Sequence, residues 1–139
     1  MKKWFSVALT LCLAWPFCSF AATGVELPVY TEQKTGVVVT AEQPEFSIKL
    51  KSNPTTGYSW FLREYHSRYL TPVKHVFQAP VNRKLVGAPG FEVWTFRMKP
   101  EAFTVPLQTA LRFIYARPWE KSGQSTAVVF WISTQEKKK

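Results

Sequence analysis

No aspartate occurs anywhere in this sequence: all 9 acidic residues are glutamates, accompanied by only two histidines, His66 and His75. A Ser-His-Asp triad is therefore excluded. A Ser-His-Glu arrangement would need one of two histidines beside a glutamate that no motif marks. Neither histidine stands at a spacing that gathers metal ligands, and no glycine-rich phosphate loop is present. The inventory argues against an enzyme. Cysteine is nearly as scarce. Cys12 and Cys18 are the only two, and both fall in the first stretch of the chain, so the remainder forms no disulfide and offers no thiol nucleophile.

Long hydrophobic runs are also missing. The one apolar stretch, from Trp4 to about Trp15, is shorter than the roughly 20 residues a membrane-spanning helix needs. It follows Lys2 and Lys3 and precedes Ser19-Phe20-Ala21, a small-x-small pattern of the kind signal peptidase reads. Residues 1–21 read as a cleaved secretory signal, with cleavage after Ala21 or Ala22. Bulky Phe17 and Pro16 stand where a lipoprotein anchor at Cys18 would want small residues. The expected product is a single domain, residues 22–139, periplasmic or secreted, with no membrane attachment once the signal is removed.

Removing Lys2 and Lys3 from the 18 basic residues leaves 16 against 9 acids, a balance of +7. Such charge suits nucleic acid when it is concentrated. Here it is scattered, and the one compact run is Lys137-Lys138-Lys139. Export and scatter together argue against a nucleic-acid partner and leave solvation, or steering toward an acidic partner, as the role of the charge.

What is present is β-strand patterning. "EFSIKLKS" (Glu45–Ser52) alternates with Phe46, Ile48 and Leu50 on one face. Thr35–Thr40 is a β-branched run. Tyr58, Trp60 and Leu62 share a parity, as do Trp94, Phe96 and Met98, then Leu111, Phe113 and Tyr115, then Val128, Phe130 and Ile132. Val73–Ala79 and a short segment near Arg83–Val86 read as further strands, and "SRYLTP" as a helical turn that Pro72 stops. Seven to eight strands at this spacing predict an all-β fold, an immunoglobulin-like antiparallel β-sandwich, with a small β-barrel as the other architecture.

Three inter-strand stretches combine special backbone residues with polar or aromatic ones. In Asn53-Pro54-Thr55-Thr56-Gly57-Tyr58, Pro54 fixes its own φ and Gly57 accepts a positive one, while two stiff threonines lie between. Asn-Pro and Gly alone would make a strand connection; Thr-Thr is a poor choice for a mere turn. A rigid projecting loop with hydrogen-bonding groups at its tip is expected. Gly87-Ala88-Pro89-Gly90 carries a common β-turn signal. In Arg117-Pro118-Trp119-Glu120 a strand ends at Pro118 and leaves Trp119 either tucked against the sandwich edge or offered to a partner; Trp and Arg are enriched at binding hot spots. Counted along the chain, these loops follow about the second, fifth and seventh strands, and alternate connections of such a sandwich emerge at one end.

"NPTTGY", "GAPG" and "RPW", in this order, resemble the chagasin family of cysteine-protease inhibitors over essentially the whole exported domain. The resemblance implies an immunoglobulin-like sandwich, acting as a monomer, that inhibits papain-type cysteine proteases reversibly and without a cofactor. It implies that Asn53 to Tyr58 enter the protease cleft, with Thr55 and Thr56 nearest the catalytic cysteine. Gly87, Ala88, Pro89 and Gly90 would brace one side. Arg117, Pro118 and Trp119 would pack on the other, Trp119 against aromatics beside the catalytic histidine. Pro89 stands where glycine is common in the family. The other reading of the same edge is a non-inhibitory exported binding module for a glycan or an envelope protein. Against it, a sugar site favours aromatics beside Asp, Asn and Gln, and only Asn53 and Asn82 supply the asparagine amide.

Overall fold

A computed structural model describes residues 26–81, 87–120 and 125–135. The signal segment, the strand expected near 83–86 and the lysine tail lie outside the described residues. Among the described residues eight strands follow in chain order: β1 (Val29–Tyr30), β2 (Gly36–Thr40), β3 (Glu45–Ser52), β4 (Ser59–Glu64), β5 (Leu70–Gln78), β6 (Gly90–Met98), β7 (Gln108–Ala116) and β8 (Thr126–Gln135). They form two four-stranded sheets, ordered β1-β3-β6-β5 and β2-β8-β7-β4. The architecture is the expected immunoglobulin-like sandwich, all-β apart from short 3-10 turns.

The alternation read from the sequence becomes the core. Phe46, Ile48, Leu50, Phe96 and Met98 from one sheet meet Leu111, Phe113, Phe130 and Ile132 from the other, all essentially inaccessible to water. Four phenylalanines form a continuous spine. Phe46 stacks on its register partner Phe96 with ring centroids 5.7 Å apart. Phe96 meets Phe113 edge-on across the sheets at 6.1 Å, and Phe113 meets Phe130 the same way at 6.1 Å. Offset and edge-to-face arrangements are those the ring quadrupoles favour. With no cysteine beyond Cys18, this packing holds the two layers together without covalent help.

Several expectations need correction. The sheets are not wholly antiparallel: β1 runs parallel to β3, and β2 runs parallel to β8. Parallel neighbours need a crossover between them. The chain supplies one by passing from β1 across to β2 in the opposite sheet before returning as β3. "SRYLTP" does hold the expected turn, closed by the Leu70 amide donating to the His66 carbonyl at 3.0 Å, but Pro72 is not what ends it. Pro72 does not stop a helix; it lies inside β5, which begins at Leu70 rather than Val73. An edge strand tolerates proline where an inner strand does not, and the register of β5 against β6 shifts between Pro72 and Lys74.

Truncating the rotor of the spine tests the packing account. Phe113→Ala is expected to lower stability by about 3–5 kcal/mol, read as a fall in the urea midpoint with an unchanged slope.

Candidate functional site

Strand register decides where the three unusual loops emerge. Ser52, the last residue of β3, lies opposite Gly90, the first of β6. Gln78, the last of β5, lies opposite Phe91. Ser59, the first of β4, lies opposite Ala116, the last of β7. The loops therefore follow the third, fifth and seventh strands rather than the second, fifth and seventh, and all three issue from one end of the sandwich.

The first loop crosses from one sheet to the other. Asn53 is non-helical (φ −125°, ψ 86°), and Pro54–Thr56 then form a 3-10 turn that ends at Gly57 with φ +78°. Pro54 suits the first helical position because its φ is preset and no amide is needed there. The Thr56 and Gly57 amides donate to the Asn53 and Pro54 carbonyls at 3.2 and 3.0 Å. The hydroxyls differ from expectation. Thr55 Oγ1 donates to Asn53 Oδ1 at 2.6 Å, and Thr56 Oγ1 donates to the Asn53 carbonyl at 2.6 Å. Their protons lock the loop from within instead of being offered at its tip, although residues 54–56 are exposed.

Each neighbouring loop is tied to the first. Arg117 donates from Nε to the Thr56 carbonyl at 3.0 Å, and its guanidinium lies 4.6 Å from the centre of the Tyr58 ring. Trp119 is 69% exposed, yet the edge of its indole lies so close to Gly57 that a Cβ there would stand 2.9 Å from Cη2. On the other flank, Asn53 Nδ2 donates to the Gly87 carbonyl at 3.4 Å. Gly87 has φ +79° and Pro89 is exposed, whereas Ala88 is half-buried. Gly90 presents nothing outward: it is buried, and a Cβ would run into the Gln78 carbonyl and the Phe77 ring. Pro118 is exposed beside Trp119.

Two further residues belong to this edge: Tyr115, read from the sequence only as part of a strand face, and Glu120, which closes the third stretch but carried no role there. Tyr115 accepts the Asn53 amide on its hydroxyl at 3.0 Å and stacks on Tyr58 at 5.3 Å. Its strand parity marked it as core, and the hydroxyl gave no sign of where it would reach. Glu120 accepts from Arg117 Nη1 at 3.0 Å and from the Tyr58 hydroxyl at 3.4 Å. Its position three residues after Arg117 was the available signal.

The arrangement offers surface rather than chemistry. His75 does lie near a glutamate and a serine, but Ser52 donates its proton to Glu92, not to the imidazole, and is buried. That order supplies no activated nucleophile. Among the described residues, no group of three or more His, Cys, Asp or Glu gathers to hold a metal, and no helix is long and apolar enough to cross a membrane.

Gly57→Ala tests how Trp119 is seated. The left-handed backbone costs a non-glycine residue about 1–2 kcal/mol, and the new methyl collides with the indole. Loss of stability on that scale is expected, together with a change in tryptophan fluorescence before unfolding; an unaltered spectrum would contradict the contact.

Comparison with solved structures places this sandwich among similar folds. A cysteine protease inhibitor from Entamoeba histolytica, EhICP2, matches with a TM-score of 0.63 at 20% identity, over 78% of this chain and 96% of that one. Amebosin matches with a TM-score of 0.59 at 20% identity, over 79% and 99%. PbICP-C, solved in complex with falcipain-2, matches with a TM-score of 0.52 at 14% identity, over 79% and 90%. No curated protein matches the sequence significantly. The sequence pattern described as Chagasin family peptidase inhibitor I42 matches residues 40–132, from the end of β2 into β8 and so through all three loops. The chain belongs to the chagasin family of peptidase inhibitors.

Proposed function

We propose that this protein is a reversible, non-covalent inhibitor of papain-type cysteine proteases, and that its three-loop edge occludes the catalytic cleft. The observation that carries the reading is the 3-10 turn at Pro54–Thr56, tied on one flank to Arg117 and on the other to Gly87. Family membership supplies the class of activity. The cysteine target is supported by the similar fold of a cysteine protease inhibitor and of a chain solved with falcipain-2.

The geometry gives the inhibitor a way to enter a cleft without being cut. A protease attacks an extended peptide. Here the Thr56 amide, the Gly57 amide and both threonine hydroxyls are spent on closing a turn, so an extended strand would require breaking four hydrogen bonds. The ordering cost is met on folding rather than on binding. Asn53, Pro54, Thr55, Thr56, Gly57 and Tyr58 act as the central wedge, Gly87 to Pro89 as one brace, and Arg117, Pro118 and Trp119 as the other. Gly90 contributes by letting β6 start close against β5. Exposed Trp119, with a rigid indole seated on Gly57, is the anchor. No cofactor takes part, and the protein acts as a monomer with neither nucleic acid nor membrane as partner.

The same proposal includes export. The segment 1–21 directs the chain to the periplasm or outside the cell and is cleaved after Ala21 or Ala22. Intact-mass analysis of protein recovered outside the cytoplasm is expected to give an N-terminus at Ala22 or Thr23; uncleaved Met1 in that fraction would contradict it.

Titration of papain with residues 22–139 is expected to abolish activity stoichiometrically while trypsin retains its rate. Trp119→Ala is expected to weaken inhibition by about 2 kcal/mol, roughly thirtyfold in the inhibition constant. Full papain activity in excess folded protein would refute the function, and an unchanged constant would remove Trp119 from the site.

A further inference from the structure

Glu92 occupies an inward-facing position of β6, on the parity of Trp94, Phe96 and Met98, and is only 4% exposed. A carboxylate in such a place must be matched by donors or it destabilises the fold. Two donors and one imidazole nitrogen converge on it. Ser52 Oγ donates to Oε1 at 2.6 Å, and the Trp60 amide donates to the same Oε1 at 3.1 Å. His75 Nε2 lies 3.0 Å from Oε2, with its ring stacked on Trp94 at 4.0 Å between centroids.

The chain positions of these donors carry the inference. Ser52 is the final residue of β3, immediately before the wedge loop, and Trp60 is the second residue of β4, immediately after it. These strands belong to opposite sheets. One carboxylate oxygen thus receives a hydrogen bond from each stem of the loop. The indole of Trp60 adds a second tie by donating from Nε1 to the Lys51 carbonyl at 2.9 Å. His75, on the edge strand β5, holds the remaining oxygen and so restrains the carboxyl plane.

We propose that Glu92 is a positioning residue for inhibition: it clamps both stems of the loop 53–58 and holds the wedge in its turn before a protease arrives. This rests on the reading of that loop as the wedge. Glu92 itself lies too deep to meet a partner and acts through Ser52 and Trp60. Two stems released from a common acceptor leave a buried hydroxyl and a buried amide unmatched, and the loop regains the freedom to extend into a cleavable form.

Three variants and two independent readouts test this. Glu92→Leu removes both acceptor oxygens. Glu92→Gln keeps one oxygen for the Ser52 and Trp60 donors and turns its amide toward His75 Nε2. Val39→Ala removes packing in β2, away from the loop, and serves as the stability control. Hydrogen exchange of amides 53–60 in the free protein reads the clamp without any protease, and papain inhibition with mass analysis of the recovered inhibitor reads its consequence. Glu92→Leu is expected to speed exchange in 53–60 selectively, to weaken inhibition at least about tenfold, and to be cut by papain within 53–58. Glu92→Gln should stay close to the unaltered protein on all three counts, and Val39→Ala should lose stability without losing inhibition. If Glu92→Leu does not fold, Ser52→Ala takes its place, with faster exchange in the same window and weaker inhibition expected. Unchanged exchange in 53–60 for the variant that folds would overturn the clamp, as would inhibition weakened no more than in Val39→Ala. Failure of the unaltered protein to inhibit papain would instead overturn the proposed function, while exchange still decides what Glu92 does.

Discussion

The contact of Phe96 with Phe113 across the two sheets, edge to face at 6.1 Å, is the constraint on which the rest of the molecule depends. It sets two layers at a fixed spacing with no disulfide to maintain it. Because β3 lies in one layer and β4 in the other, the segment between them has to bridge the gap within a few residues. A segment that short cannot wander. The shape of the wedge follows from the thickness of the core beneath it.

Around that bridge the polar groups are arranged so that little is left to be ordered later. The hydroxyls of Thr55 and Thr56 turn back onto Asn53, Tyr115 takes the Asn53 amide, and Arg117 takes the Thr56 carbonyl. Individually these are modest bonds, several of them exposed to competition from water. Collectively they over-determine one turn, and a binding surface that is already in its bound shape loses less freedom on association. Glu92 extends the same logic inward: a buried charge, costly by itself, is matched by donors from the elements the loop joins. Flanking the wedge, Trp119 is both exposed and seated, which makes a large aromatic available at low entropic cost.

The edge strand β5 shows how a local rule yields to its surroundings. Pro72 reads as a stop signal in isolation, because proline removes a donor and a ring clashes with a helical turn. At a sheet edge the missing donor faces no partner, and the register shift beside Pro72 absorbs the misfit. Only the place of the strand in the sheet decides between the two outcomes. Glu120 and Tyr115 make the same point for the site: one lay in an exposed loop, the other on a core-facing parity, and neither pattern says what a hydroxyl or carboxylate at the end of its side chain will meet.

Alternation with period two, carried by residues such as Phe46, Ile48 and Leu50, was enough to mark most of the strands, the all-β class and the core residues of β3, β6, β7 and β8, since successive side chains of a strand point to opposite faces; short β1 and exposed β5 carry no such signal. The wedge sequence likewise announced its stiffness, because proline and β-branched threonines restrict the backbone and χ1 wherever they stand. Pairing was another matter. Which strands run parallel, that Tyr115 and Arg117 reach back to the wedge loop and that Ser52 and Trp60 meet on Glu92 all depend on residues distant in the chain, some more than sixty positions apart. Such contacts exist only after the two sheets have closed on each other, and no local preference encodes them.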